Sequence, residues 1–300
     1  MKKLTIIGGS GFFGKSFIDA FNFGLFKKIG IKKLIIICRN PNKLKKEKEL
    51  GLLNVKLIKS DTKLIKNLPE SDFYIYAGEP SEIKKYNNSK MVKNYNLAVD
   101  NFFEKIIKKK KSIKILYISS GSLDKKKYNK NYKNYNLVKK YSEKKFKQLS
   151  NLGYRSSIAR CYTFIGKWIP LNQHYAIGNF ISDGFEKSKI NLLADKQTYR
   201  SYMYSEDLIR WLLKILIKTN KNFQIFNVGS DQKIGIVELA NRISMIFKKK
   251  VNQKNKINNN KTDNYLPSLF ETKKKLKVKI NYDLNKALLL TINQIYEKKN

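Results

Sequence analysis

Cysteine is scarce in this chain: Cys38 and Cys161 are the only two among 300 residues, and no C-x-x-C occurs. Such a sequence carries no disulfide framework and no thiolate zinc site, and it fits a reducing cytoplasmic setting. No run of about 18 apolar residues is present, so no membrane span is expected. The first apolar stretch is cut by glycines at Gly8 to Gly14 before it could act as the core of a signal peptide. Histidine occurs once, at His174, read as a loop or helix-start residue with substrate contact as the alternative. Arginine is confined to Arg39, Arg155, Arg160, Arg200, Arg210 and Arg242, and no internal repeat is found.

Acidic residues are also few, 23 against 63 lysines and arginines, which leaves a net charge of +40. That excess raises the question of nucleic acid. It is nearly all lysine, spread along the whole chain and mixed with asparagine, which reads as compositional drift and not as a binding face. Specific base recognition relies on the arginine fork, so no dedicated nucleic-acid partner is expected, only weak salt-dependent adhesion to polyanions. Where lysine dominates, the remaining arginines mark positions at which a point charge does not suffice; Arg39 and Arg200 are the two of interest.

A hydrophobic content of 42% supports a full core. Strand-like runs fall near 3–7, 33–38, 55–58, 73–77, 113–119 and 155–161, with helix-period segments near 12–27, 42–50, 91–109, 132–149 and 176–186. Alternating strands and helices predict a Rossmann-like, doubly wound parallel α/β sheet, and Leu34-Ile35-Ile36-Ile37 suits a strand buried on both faces. Beyond about residue 162 the elements shorten. A helix near 206–218, a strand near 223–228 and helices near 236–247 and 283–296 follow, with a mobile Lys/Asn-rich loop expected at 248–263. The predicted organisation is a dinucleotide-binding domain over 1–163, rejoined by about 205–230, and a smaller C-terminal α/β substrate domain over 164–300.

The most informative stretch is Gly8-Gly9-Ser10-Gly11-Phe12-Phe13-Gly14, set between the first strand and the first helix. Strand, glycine turn and helix together indicate dinucleotide binding. Gly8 permits the tight turn, Gly11 admits a pyrophosphate, and Gly14 lets the helix pack close on the sheet. The helix N-terminus then offers unpaired N–H groups to the phosphates. Tyr135-Asn136-Leu137-Val138-Lys139 puts a phenol and an ammonium four residues apart, hence on one helix face. A tyrosine ionises near pH ~10; a neighbouring cation favours the phenolate and brings it within range of proton transfer. Tyr141 and Lys145 repeat the spacing six residues later, but Tyr135 is preferred for its place at the helix start. The hydroxyls of Ser119, Ser120 and Ser122 stand at the carboxyl end of the fifth strand, where ligands bind in open α/β sheets.

The G-x-x-G-x-x-G spacing resembles the short-chain dehydrogenase/reductase superfamily, and its wording resembles the extended branch, the NAD-dependent epimerase/dehydratase family that modifies nucleotide-sugars. That resemblance implies Ser120, Tyr135 and Lys139 as the catalytic set. It also implies Gly8, Gly11, Phe12, Phe13, Gly14, Arg39, Asp61, Ala77, Gly78, Tyr135 and Lys139 as cofactor contacts, and Ser120, Ser122, Asn179 and Arg200 as substrate contacts. Arg160-Cys161-Tyr162-Thr163-Phe164-Ile165-Gly166 resembles the family's sixth-strand segment. Arg200-Ser201-Tyr202, with Asp207, resembles the stretch whose arginine grips a nucleotide diphosphate, and Tyr265-Leu266-Pro267 resembles a late substrate-side loop. Dehydratases of the family carry Asp-Glu directly after the hydroxyl residue; Gly121 and Ser122 stand here, and Asp124 is displaced. Epimerisation or 4-keto reduction at a ring carbon, C4, is therefore favoured, with dehydration or a non-catalytic NAD(P)-binding sensor or scaffold as alternatives. No carboxylate ends the second strand, and Arg39 suits a 2′-phosphate, which favours NADP(H) over NAD(H). No metal is expected. The family's habit of pairing through the helices near 91–109 and 132–149 makes a homodimer the expected assembly.

Overall fold

A computed structural model describes residues 1–124, 132–173 and 175–299. In chain order its elements are β1 (Lys2–Ile7), α1 (Phe12–Asn22), β2 (Ile31–Cys38), α2 (Asn42–Lys45), β3 (Val55–Lys59), β4 (Phe73–Tyr76), α3 (Ser89–Ile106), β5 (Lys114–Ser120), α4 (Lys133–Asn151), β6 (Arg155–Cys161), β7 (Phe164–Ile165), α5 (Ala176–Glu186), β8 (Lys189–Leu192), β9 (Lys196–Arg200), β10 (Met203–Tyr204), α6 (Ser205–Lys218), β11 (Gln224–Val228), β12 (Ile234–Gly235), α7 (Ile236–Phe247), β13 (Lys250–Gln253), β14 (Asn258–Tyr265), α8 (Phe270–Leu276) and α9 (Leu284–Lys299). The chain divides into two compact units, residues 1–161 with 209–227, and residues 162–208 with 228–300.

The first unit is built on a seven-stranded sheet in the order β11-β6-β5-β4-β1-β2-β3. The strands from β6 to β3 pair in parallel. Strand order reverses between β1 and β4, and ligands of such sheets bind at the carboxyl ends on either side of that point. β1 and β2 are buried along most of their length because the sheet is covered on both faces. One core cluster sets Tyr76, Phe102, Tyr117 and Phe146 together; the Tyr117 and Phe146 rings stack at 4.8 Å and those of Phe102 and Phe146 at 5.6 Å. Aromatic packing of this kind fixes α3 and α4 against β4 and β5. Both cysteines are free and buried, and burial pushes both thiols up, away from the reactive thiolate.

The second unit carries a three-stranded sheet, β12-β9-β14, and two strand pairs, β10 with β7 and β13 with β8. Asp207 is fully buried there. It accepts the backbone N–H groups of Asn281 and Tyr282 at 2.8 and 3.1 Å and the Asn281 amide at 2.5 Å. It is a structural acid that anchors the approach to α9.

Several expected elements differ. The helix expected over 12–27 stops at Asn22, because Gly24 takes φ +78° and only a short 3-10 turn follows at Lys27–Ile29. The segment 42–50 breaks into α2 and a 3-10 turn at Lys48–Leu50. The loop expected at 248–263 is instead largely β13 and β14, which pair in parallel with β8 and β9. Their lysines and asparagines conceal the strand signal: β13 reads Lys250-Val251-Asn252-Gln253, with exposed ends and a half-buried middle. Neighbouring strands, not local propensity, hold such segments extended. Among the described residues no helix is long and apolar enough to cross a membrane.

Candidate active site

The glycine turn leaves β1 with Gly8 at φ +86°, a conformation that disfavours any side chain. A Cβ added to Gly8 would also fall on the Ala77 carbonyl and the Gly78 Cα, so this turn and the segment after β4 are in backbone contact. A Cβ added to Gly14 would fall on the backbone of Gly9, so Gly14 lets the helix close onto the turn. Gly11 differs again: nothing lies within 4 Å of its would-be Cβ. It caps α1 from extended backbone, with no side chain bonded to the cap and no acidic residue in the first turn. Open space beside Gly11 and the positive helix end are what a pyrophosphate requires. Phe12 and Phe13 open that helix, their rings edge-to-face at 5.9 Å.

Arg39 follows β2 directly and is exposed. Burial raises the phenol of Tyr95 in α3, and the nearby charge of Arg39 partly offsets this. Asp61, after β3, accepts the Lys63 N–H at 3.1 Å and so caps the 3-10 turn at Thr62–Leu64. Ala77 and Gly78 follow β4, and the Ala77 N–H donates to the Ile7 carbonyl at 2.8 Å.

β5 ends at Ser120, and the three neighbouring hydroxyls separate into different networks. Ser119 donates to Glu143 Oε1 at 2.6 Å. Glu143 in turn receives Arg160 in a two-point fork at 2.9 and 2.7 Å, and Arg160 also ion-pairs with Asp124. Ser119 and Asp124 thus belong to one structural ion cluster. Ser120 lies 3.0 Å from the Ser122 hydroxyl, which donates to Asn136 Oδ1 at 2.6 Å. Asn136 is the residue after Tyr135, so this chain ties the end of β5 to the first turn of α4. Tyr135 and Lys139 are both buried on that helix, with the ammonium 5.7 Å from the Tyr135 ring centre. Tyr135 packs edge-to-face on Tyr86 at 5.0 Å and on Tyr132 at 6.3 Å. Lys139 donates to the Ile118 carbonyl at 3.3 Å and pairs with Glu79 Oε2 at 2.8 Å. The competing pair is occupied elsewhere: the Tyr141 hydroxyl bonds Asp100 at 2.7 and 2.9 Å and Lys145 pairs with the same carboxylate at 2.7 Å.

Glu79 and Asn136 were not singled out by sequence reasoning. Asn136 had a faint signal as the second residue of the Y-x-x-x-K unit. Glu79 had none beyond its position after Ala77-Gly78.

In the second unit Arg200 donates to the Tyr199 and Asp263 carbonyls at 2.8 and 3.0 Å and pairs with Asp263 Oδ2 at 2.7 Å. Its guanidinium lies 5.6 Å from the Tyr265 ring centre, and Tyr265 packs on Tyr162 at 4.9 Å. Asn179 sits on α5, and its buried Oδ1 has no hydrogen-bond partner among the described residues. His174 lies outside the described residues.

A sequence model of the NAD dependent epimerase/dehydratase family matches residues 4–229. The chain belongs to this family. Its fold is also that of solved members. It aligns with a UDP-glucose 4-epimerase from Thermotoga maritima, with bound UDP-glucose, over 99% of this chain and all of that one (TM-score 0.81, 16% identity). A UDP-N-acetylglucosamine 4-epimerase from Methanobrevibacter ruminantium, in complex with UDP-N-acetylmuramic acid, aligns over 99% of each chain (0.81, 18%). A dTDP-glucose 4,6-dehydratase from Bacillus anthracis, in complex with NAD, aligns over 100% of this chain and 98% of that one (0.78, 16%). No curated protein sequence matches the chain. Membership of the epimerase/dehydratase family makes the protein an enzyme of a nicotinamide-dependent class.

Proposed function

We propose that this family member acts on a nucleotide-sugar, at ring carbon C4, as an epimerase or 4-keto reductase. The observation that carries the reading is the buried Tyr135–Lys139 pair on α4, tied through Asn136 and Ser122 to Ser120 at the end of β5. A bound nicotinamide supplies the hydride acceptor or donor. Phe12, Phe13 and the open face of Gly11 take its pyrophosphate, with Gly8 and Gly14 shaping the turn. Asp61 meets its adenine, Ala77 and Gly78 pack near its phosphates beside Gly8, and among the described residues two of the three N–H donors of Lys139 are met, by Glu79 and Ile118, which gives the third to the ribose hydroxyls. Ser120, with Ser122 behind it, orients the reacting sugar oxygen, and Tyr135 moves the proton at that oxygen. Arg200 and Asn179 are the substrate-side contacts, the arginine for the diphosphate.

Two observations narrow the reaction. Gly121 and Ser122 supply no acid/base pair after Ser120, and Asp124 is held by Arg160, so elimination of water has no ready carboxyl. A purified reductase consumes NADPH in proportion to a 4-keto nucleotide-sugar, whereas an epimerase interconverts its substrates with no net consumption; a protein that does neither overturns the reading.

The exposed Arg39, with no carboxylate at the end of β2, supports NADP(H). Arg39→Ala is expected to weaken NADPH binding by about 10–100-fold, the worth of a charge-assisted contact, with NADH binding changed by less than about threefold. Equal losses for both, read by isothermal titration, would remove the arginine from cofactor choice.

A further inference from the structure

We propose that Glu79 is a positioning residue that partners the charge of Lys139 and thereby sets how strongly that lysine favours the Tyr135 phenolate. The inference rests on the assignment of Tyr135 and Lys139 to one working pair. Glu79 follows Gly78 directly, yet its side chain is only 1% exposed, and that of Lys139 is 6% exposed. Three donors converge on its carboxylate: Lys139 Nζ at 2.8 Å and the Tyr117 hydroxyl at 2.7 Å, both on Oε2, and the Ser142 hydroxyl at 2.5 Å on Oε1. Lys139 and Ser142 are three residues apart on α4, so the carboxylate clamps one face of the helix that bears Tyr135.

A buried carboxylate so fully satisfied holds its partner in one place. Its location gives it a second consequence. The segment after β4 touches Gly8 of the glycine turn, so Glu79 joins the cofactor turn to α4 through three residues of backbone. Electrostatically, a lone ammonium near the Tyr135 ring would favour the phenolate strongly, whereas a neutralised pair favours it less. Among the described residues, the titratable groups around Tyr135 are Lys139 on its own helix, Tyr132 just before it, Tyr86 from the segment after β4, Tyr95 from α3, and Glu79 through Lys139. Tyr86 and Tyr117 are driven far up by burial, with Glu79 adding to the effect, which leaves Lys139 and Glu79 as the charged groups among them at neutral pH.

The test uses the purified full chain without cofactor or substrate. Phenolate absorbance is titrated in the wild type and in Tyr135→Phe, and their difference isolates residue 135. The same subtraction is then made in a Glu79→Gln background. The expected midpoint moves about one pH unit lower in the Gln background, because the ammonium loses its counter-charge. A midpoint that stays or rises, whatever happens to thermal stability, overturns the proposal and leaves Glu79 a structural acid. Should Glu79→Gln fail to fold, Glu79→Gln combined with Lys139→Met removes both charges and avoids a lone buried ion. The midpoint then stays within about half a unit of wild type if the pair is neutral, and rises by about a unit or more if Lys139 acts alone. Turnover by Tyr135→Phe would sink the hydride-transfer reading separately, since the titration needs no reaction.

Discussion

Replacing Tyr135 with Phe is expected to lower turnover by about 10³-fold, the usual worth of a placed acid/base group, while cofactor affinity changes less than about threefold. The substitution removes one oxygen and keeps the ring. That ring packs edge-to-face on Tyr86 and Tyr132, contacts that a phenylalanine retains, so folding should be unaffected. The competing Tyr141 is engaged by Asp100 on α3, so Tyr141→Phe should leave turnover within about threefold of wild type. Steady-state kinetics on the two variants side by side reads the difference. Near-normal turnover by Tyr135→Phe would remove the phenol from the mechanism.

The second large effect is at the glycine turn, where two neighbouring positions should fail in different ways. Gly14→Ala places a methyl on the Gly9 backbone, and the turn cannot retreat, because a Cβ at Gly9 would already meet Ile36 Cγ2 at 2.7 Å. Overpacking of this kind costs about 1–3 kcal/mol or more. The melting temperature should fall by about 5 °C, and cofactor affinity by about 100-fold as the N–H groups of α1 are displaced. Gly11→Ala adds a methyl to open space from an ordinary backbone conformation. Its melting temperature should stay within about 1 °C, while cofactor affinity falls at least about tenfold because the methyl occupies the approach of the pyrophosphate. Calorimetry and cofactor titration separate these outcomes. A Gly11→Ala protein that binds normally would move the pyrophosphate elsewhere.

Much of this could be read from the chain because the signals were local. Leu34-Ile35-Ile36-Ile37 announces a strand covered on both faces, and β2 holds it in the sheet with β1 and β3. Gly8 to Gly14 announces strand, turn and helix, and Tyr135 with Lys139 shares a helix face wherever that helix lies. What could not be read depends on partners distant in sequence. β13 and β14 are strands because β8 and β9 pair with them, and their Lys/Asn composition gives no sign of it. That Ser119 is engaged by Glu143, itself held by Arg160, could not be read from the Ser119-Ser120 pair. Glu79 is an ordinary loop acid until Tyr117, Lys139 and Ser142 surround it.

The most direct measurement is a crystal structure of the protein with NADPH bound. The account predicts the pyrophosphate over Gly11 at the start of α1, and a nicotinamide ribose hydroxyl within about 3 Å of both the Tyr135 hydroxyl and Lys139 Nζ. A nicotinamide bound away from Tyr135, with that hydroxyl turned from it, would contradict the account.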